Sequence, residues 1–146
     1  MSERTVFQSM THRHVISLGP QANVREAACA MTVANCGSVL IIDTHGALLG
    51  IVTERDLMTR VLAKALDPEK TPVSEVMTRN PICIGPEALV ADAVVIMIER
   101  GFRHLPVLGA HSKIMGVFSV RDALPREIGN ALSLAEFNEQ VNDAVG

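Results

Sequence analysis

One phrase occurs twice in this chain. "GIVTERD" fills residues 50–56 and "GVFSVRD" fills 116–122: a glycine, two apolar residues, a hydroxyl residue, one variable residue, then Arg-Asp. The displacement of 66 residues also relates Gly19-Pro20 to Gly85-Pro86, Ala22 to Ala88, Ala27 to Ala93 and Met31 to Met97. Met10-Thr11 recurs as Met77-Thr78 at a displacement of 67, so one residue is inserted near "THRHV" in the first copy. Matches this regular make the chain two copies of a unit of roughly 50–60 residues. A unit of that size closes only a marginal core by itself, so the halves are expected to pack together.

Each copy carries the same order of elements, β-α-β-β-α. A short apolar segment comes first, Val15-Ile16 in one copy and Ile82-Cys83-Ile84 in the other. A helix follows Gly-Pro. Asn23 and Glu26 have capping-box spacing, and Val24, Ala27, Ala28 and Met31 line one face. Val90, Ala93, Val94 and Met97 repeat that face, with Leu89 in the capping position. Ser38 to Ile42 and His104 to Leu108 read as strands buried on both sides. Leu48 to Val52 and Ile114 to Phe118 read as their partners, each running into a hydroxyl residue. A helix should then follow, with Leu57, Val61 and Leu62 apolar in the first copy. The expected division is a first repeat over 6–66, a polar linker "DPEKTP" over 67–72, a second repeat over 73–125 and a helical extension over 126–146. Pro125 should stop or kink the last helix of the second repeat. A new helix could restart at Ser133, boxed by Glu136, with Leu134, Phe137 and Val141 on its apolar side.

Composition excludes several classes. Apolar residues make up 48 % but form no run of the roughly 18 that a membrane helix needs. The charged start, MSERTVFQSM, lacks a secretion signal's apolar centre. A net charge of −3, four Phe and no Trp or Tyr argue against nucleic acid as partner. Cys29, Cys36 and Cys83 have no zinc-like spacing and read as small core hydrophobes in a reducing cytoplasm. His12 and His14 lack further ligands at convincing spacing, so no metal site is expected. G-x-S-x-G, H-E-x-x-H and P-loop patterns are absent, which favours a binder over an enzyme.

Thr53 with Asp56, and Ser119 with Asp122, have S/T-x-x-D spacing. That spacing alone is a helix-capping device. The repeated arginines, Arg55 and Arg121, are not needed by a cap. A hydroxyl beside a guanidinium suits a phosphate, and a carboxylate suits a ribose diol because it only accepts hydrogen bonds. Phosphate and ribose together mean a nucleotide.

The two phrases, the strands "GSVLIID" and "FRHLPVLG", and the "MT…GP" segments resemble a tandem pair of CBS domains, also called a Bateman module, over about residues 6–125. The resemblance implies an α/β fold of two repeats packed about a pseudo-two-fold axis. It implies regulatory binding of an adenosine compound such as AMP, ATP, NAD or S-adenosylmethionine, with no cofactor required. Thr53 and Ser119 would meet phosphates, Asp56 and Asp122 the ribose, and Arg55 and Arg121 further phosphate oxygens. Val15-Ile16 and Ile82-Cys83 would flank the adenine. His104, ahead of Leu105-Pro106, matches a position often basic in the family, where the first copy has Ser38. The cleft holding Ser119, Asp122 and His104 is therefore the favoured one. A homodimer and an unknown effector protein are also implied, and the apolar side of the helix expected from Ser133 would add surface to the dimer contact. The other reading is a protein-interaction module with degenerate clefts and no ligand.

Overall fold

The computed structural model describes residues 3–10 and 15–145; His12 and His14 lie outside the described residues. Helix α1 (Val6–Ser9) opens the chain and is boxed by Thr5 and Gln8. Strand β1 (Ser17–Leu18), helix α2 (Val24–Ala34), strands β2 (Ser38–Ile42) and β3 (Leu48–Thr53) and helix α3 (Glu54–Asp56) build the first repeat. Helix α3 widens into a π-type turn over Leu57–Leu62. Strand β4 (Thr78–Arg79) comes next, and in the second repeat α4 (Val90–Arg100), β5 (His104–Leu108) and β6 (Ile114–Ser119) follow in the same order as α2, β2 and β3, with α5 (Pro125–Val145) after them.

One sheet runs β1-β2-β3-β4, with β1 parallel to β2 and the other pairs antiparallel; β5 and β6 form a separate hairpin. Both hairpins carry an irregularity at the same place, between Ile41 and Ile42 and between Val107 and Leu108. The expected first strand is displaced: Ile16 lends its carbonyl to the Leu40 amide, while Ser17 and Leu18 pair with β2. In the second repeat Ile84 alone bridges to Val107.

The cores do not follow the linear division of the chain. Val6 and Met10 are buried with Val90, Val94, Leu105 and Phe118 of the second repeat. Val73, Val76 and Met77 are buried with Val24, Met31, Val39 and Val52 of the first. The backbone repeats the exchange bond for bond. The Val73 amide donates to Ala22 and the Val24 amide to Thr71; correspondingly, the Val6 amide donates to Ala88 and the Val90 amide to Arg4. The segment over 67–72 is accordingly tied to the start of α2 rather than loose, with the Arg25 amide donating to Pro68.

The exchange explains the glycine that opens the repeated phrase. A Cβ on Gly50 would stand 2.6 Å from the Met77 sulfur and 2.7 Å from the Thr78 carbonyl oxygen. A Cβ on Gly116 would stand 2.7 Å from the Met10 terminal methyl, and this residue also has φ +146°. Each glycine leaves room for the methionine that enters its half from the other one.

Four expectations are corrected. Pro125 does end the turn over Val120–Asp122, but a helix restarts at once and runs unbroken to Val145, so Ser133 lies inside it. Proline fits a first helical turn because its missing N–H has no partner there. The Glu127 carboxylate accepts from the Leu124 amide at 2.7 Å and supplies the cap. As a result Ala131 is buried while Leu134, Phe137 and Val141 face outward. Leu62 is likewise 73 % exposed, since the widened turn directs Val61 into the core and Leu57 against it but turns Leu62 away. The cysteines are not core residues: Cys29 is exposed on the outer face of α2, and Cys36 and Cys83 are half-buried free thiols. The Asn23 cap forms in one direction, with its side chain accepting from the Glu26 amide.

Arg4 clamps the exchanged segment. Its guanidinium donates twice to buried Glu127, at 2.7 and 3.1 Å, and once to the Asp122 carbonyl. The Arg4 hydrogen bonds hold the Glu127 carboxyl below its ordinary range, against the opposing effect of burial. A carboxylate with a depressed pKa stabilises the fold above its unfolded-state pKa, and that stability is lost as pH falls through the folded value. The urea midpoint should thus drop as pH falls through the ordinary carboxylate range and below it, and Glu127→Gln should flatten that drop. Equal slopes for both proteins would show that the clamp carries no pH-dependent stability.

Candidate functional site

The repeated phrase makes a strand-to-helix turn in each half, and a hollow lies beside each turn. The first hollow, about 510 Å3, brings Thr53, Glu54, Arg55 and Asp56 together with Thr78, Asn80, Pro81 and Ile82 and with Gly101 to His104. The second, about 650 Å3, brings Ser119, Val120 and Arg121 together with Asn35, Cys36 and Gly37, and also with Glu54, Arg103 and His104. A shift of 66 maps Thr53-Glu54-Arg55 onto Ser119-Val120-Arg121 and Gly101-Phe102-Arg103 onto Asn35-Cys36-Gly37. The hollows are therefore related by the internal repeat. Both have the size of small-molecule sites.

The capping chemistry is present in both turns. Asp56 Oδ2 accepts from the Thr53 amide at 2.9 Å and its hydroxyl at 3.1 Å, and the Asp56 amide donates to Thr53 Oγ1 at 3.3 Å. Arg60 Nε lies 3.6 Å from Asp56 Oδ1. Asp122 Oδ2 accepts from the Ser119 amide at 2.9 Å, and the Arg121 amide donates to Ser119 Oγ at 3.2 Å. A carboxylate offers about four lone-pair directions, so a cap does not exhaust it. Asp56 lines the first hollow, whereas Asp122, expected beside Ser119 and His104 in the favoured cleft, lines neither; its carboxylate is turned to the Ser119 cap.

His104 starts β5 opposite Ser119 and borders both hollows. Burial pushes its imidazole pKa down. The Glu54 carboxylate opposes this, while the guanidinium groups of Arg103 and Arg121 add to it. The ring is neutral at pH 7 and keeps one N–H to donate.

The other expected residues stand apart from the hollows. Leu105 is buried in the second core, and the Pro106 carbonyl accepts from the Ile84 amide. Ser38 is buried opposite Thr53 in the β2–β3 ladder. Val15 is exposed, and Ile16 packs on the first core. Cys83 lies next to Ile82; its thiol donates to the Pro81 carbonyl at 3.3 Å, and burial pushes its pKa up. Sequence reasoning missed Glu54, Met58, Asn80, Phe102 and Arg103. Glu54 is the variable residue within the phrase, and Phe102-Arg103 directly precede the strand that was recognised.

The CBS domain model of protein families matches residues 6–63 and 73–127. The chain belongs to the CBS domain family and carries the domain as a tandem pair. CBS domain-containing protein CBSCBSPB2 of Arabidopsis thaliana is 34 % identical over 143 residues, which is 98 % of this chain and 26 % of that protein. The chain thus spans about a quarter of that relative's length. A CBS-domain containing protein from Agrobacterium tumefaciens, 30 % identical, superposes with a TM-score of 0.73 over 81 % of this chain and 94 % of that one. The CBS domain pair of protein MJ0100, in complex with 5′-methylthioadenosine and S-adenosyl-L-methionine, gives 25 % and 0.74, over 83 % and 93 %. A CBS domain protein from Pyrobaculum aerophilum complexed with AMP gives 24 % and 0.79, over 90 % and 100 %. Among the described residues no helix is long and apolar enough to cross a membrane.

Proposed function

We propose that the chain is a regulatory binder of an adenosine compound, with the ligand held beside the repeated turns. The observation that carries this reading is the first hollow. There a hydroxyl (Thr53), a carboxylate (Asp56), two guanidinium groups (Arg55, Arg103) and a neutral imidazole (His104) share one cavity with the apolar side chains Ile82 and Phe102. Asp56 would accept from ribose hydroxyls, Arg103 and His104 would donate to phosphate, and Ile82 and Phe102 would cover the base. The ligands carried by the solved relatives support an adenosine compound in general. Ser119 and Arg121 would repeat the hydroxyl and guanidinium roles in the second hollow, which Asp122 does not line.

Because each half holds a segment of the other, a ligand that prefers one arrangement of the halves would shift the population of both. An effector protein would read that arrangement. A second copy of the chain would cover exposed apolar side chains such as Val33, Leu62 and Phe137, as in a homodimer. The same outward side chains favour the interaction-module reading should the hollows prove empty.

Thermal-shift measurements with AMP, ADP, ATP, NAD and S-adenosylmethionine test the reading. A true ligand at a hundredfold excess over its Kd stabilises by about 2.7 kcal/mol, which raises Tm by several degrees. No shift with any of the five would favour the interaction module. Asp56→Asn retains an oxygen for the Thr53 cap, so the fold should persist. Loss of charge-assisted bonds worth about 1.5–3 kcal/mol should weaken binding roughly ten- to hundredfold by titration calorimetry. Unchanged affinity would remove Asp56 from the ribose role.

A further inference from the structure

The two hollows share one partition, made of Glu54, Met58, Arg103 and His104. The partition breaks the internal symmetry. The repeat maps Glu54 onto Val120, Arg103 onto Gly37 and His104 onto Ser38, so one half supplies the acid and the other the bases. A Cβ built on Gly37 would collide with the Glu54 carboxylate and stand 3.1 Å from His104 Nε2. The bare glycine is what allows the carboxylate and the imidazole to lie side by side on the partition. Neutral His104 leaves Arg103 and Glu54 as the charged groups common to both cavities. Arg55 and Asp56 add charges in the first hollow and Arg121 in the second.

From this geometry we infer that Glu54 is a specificity-determining residue, a fixed negative charge on the shared partition that penalises each added phosphate of a ligand in either hollow. The inference rests on the nucleotide reading above. A ligand phosphate that reaches His104 must also approach Glu54, because the carboxylate and the imidazole lie together over Gly37. The repulsion scales with ligand charge and is absent for a neutral nucleoside. Glu54 is exposed, so water and salt screen the effect to modest factors.

The test is titration calorimetry of the full chain with adenosine, AMP and metal-free ATP, at low and high ionic strength, for the wild type, Glu54→Gln and Glu54→Asp. In Glu54→Gln, adenosine affinity should stay within about twofold, AMP should tighten about threefold and ATP about tenfold at low salt, and the gains should shrink at high salt. Glu54→Asp keeps the charge and should behave like the wild type. Equal gains for all three ligands, no gain, or the same gain in Glu54→Asp would overturn the assignment while leaving the nucleotide reading intact. If none of the three proteins bound any of the ligands, the nucleotide reading would fall and this assignment with it. Thermal melts of both variants establish that they are folded before titration.

Discussion

Replacing Val6 and Met10 together by alanine should cost about 4 kcal/mol or more and lower Tm by roughly 10 °C, with the loss concentrated in the second repeat, sixty or more residues further along the chain. Both side chains are essentially inaccessible to water, at 0 % and 4 % exposure, and both pack among residues of α4, β5 and β6. Truncating them removes apolar burial and leaves cavities that a close-packed core cannot fully collapse. Native-state hydrogen exchange locates the damage. Amides of β5 and β6 should lose protection before those of β2 and β3. The mirror pair Val73→Ala with Met77→Ala should loosen β2 and β3 first, since those side chains sit in the other core. If Val6 and Met10 changes instead exposed the first repeat, the exchange of segments would be refuted. Because each core is completed by a segment from the other copy, the repeats should not fold as separate halves.

The repeat itself was legible because its spacing survives in the residues that need it. Met31 and Met97 are buried on equivalent helix faces, and the strands from Ser38 and His104 are buried on both sides as their apolar runs imply. The exchange was not legible, although Val6 and Met10 correspond to Val73 and Met77 in pattern. Apolar periodicity says which side chains need burial and says nothing about whose core receives them. Pro125 does end the short turn, and it was the restart expected at Ser133 that failed, for a related reason: the Glu127 carboxylate that caps the new start at Pro125 is recruited by Arg4 from far along the chain. The hydroxyls, Thr53 and Ser119, were found as hollow-lining groups because their positions repeat. Glu54 and Arg103 were missed because theirs do not: their counterparts are Val120 and Gly37. A search for symmetry is blind to the residues that make two related cavities different.

Gly50→Ala should be the most damaging single-methyl change in the first repeat, destabilising by about 1–3 kcal/mol as an overpacked site and weakening ligand binding in the first hollow. Two residues, Met77 and Thr78, occupy the place the methyl would take. The Met77 sulfur belongs to a flexible side chain but lies in a packed core, at 5 % exposure, and has little room to retreat. The Thr78 oxygen belongs to the main chain of β4, which pairs with β3 at Gly50 and Arg79. Relief therefore requires β4 to move away from β3. Thr78, Asn80, Pro81 and Ile82 form one wall of the first hollow, so the strand cannot shift without reshaping the cavity. Gly116→Ala supplies the contrast. Its nearest neighbour is the end of the Met10 side chain, and its cost should come largely from the φ of +146°, which an alanine rarely adopts. That variant should lose stability while leaving the Thr78–Ile82 wall, and ligand affinity in the first hollow, largely unchanged. Denaturant titration combined with calorimetry separates the two. Matching losses of stability with a selective loss of affinity in Gly50→Ala support the close approach of β4. Full affinity in a destabilised Gly50→Ala protein would mean that the core, rather than the strand, absorbs the added methyl.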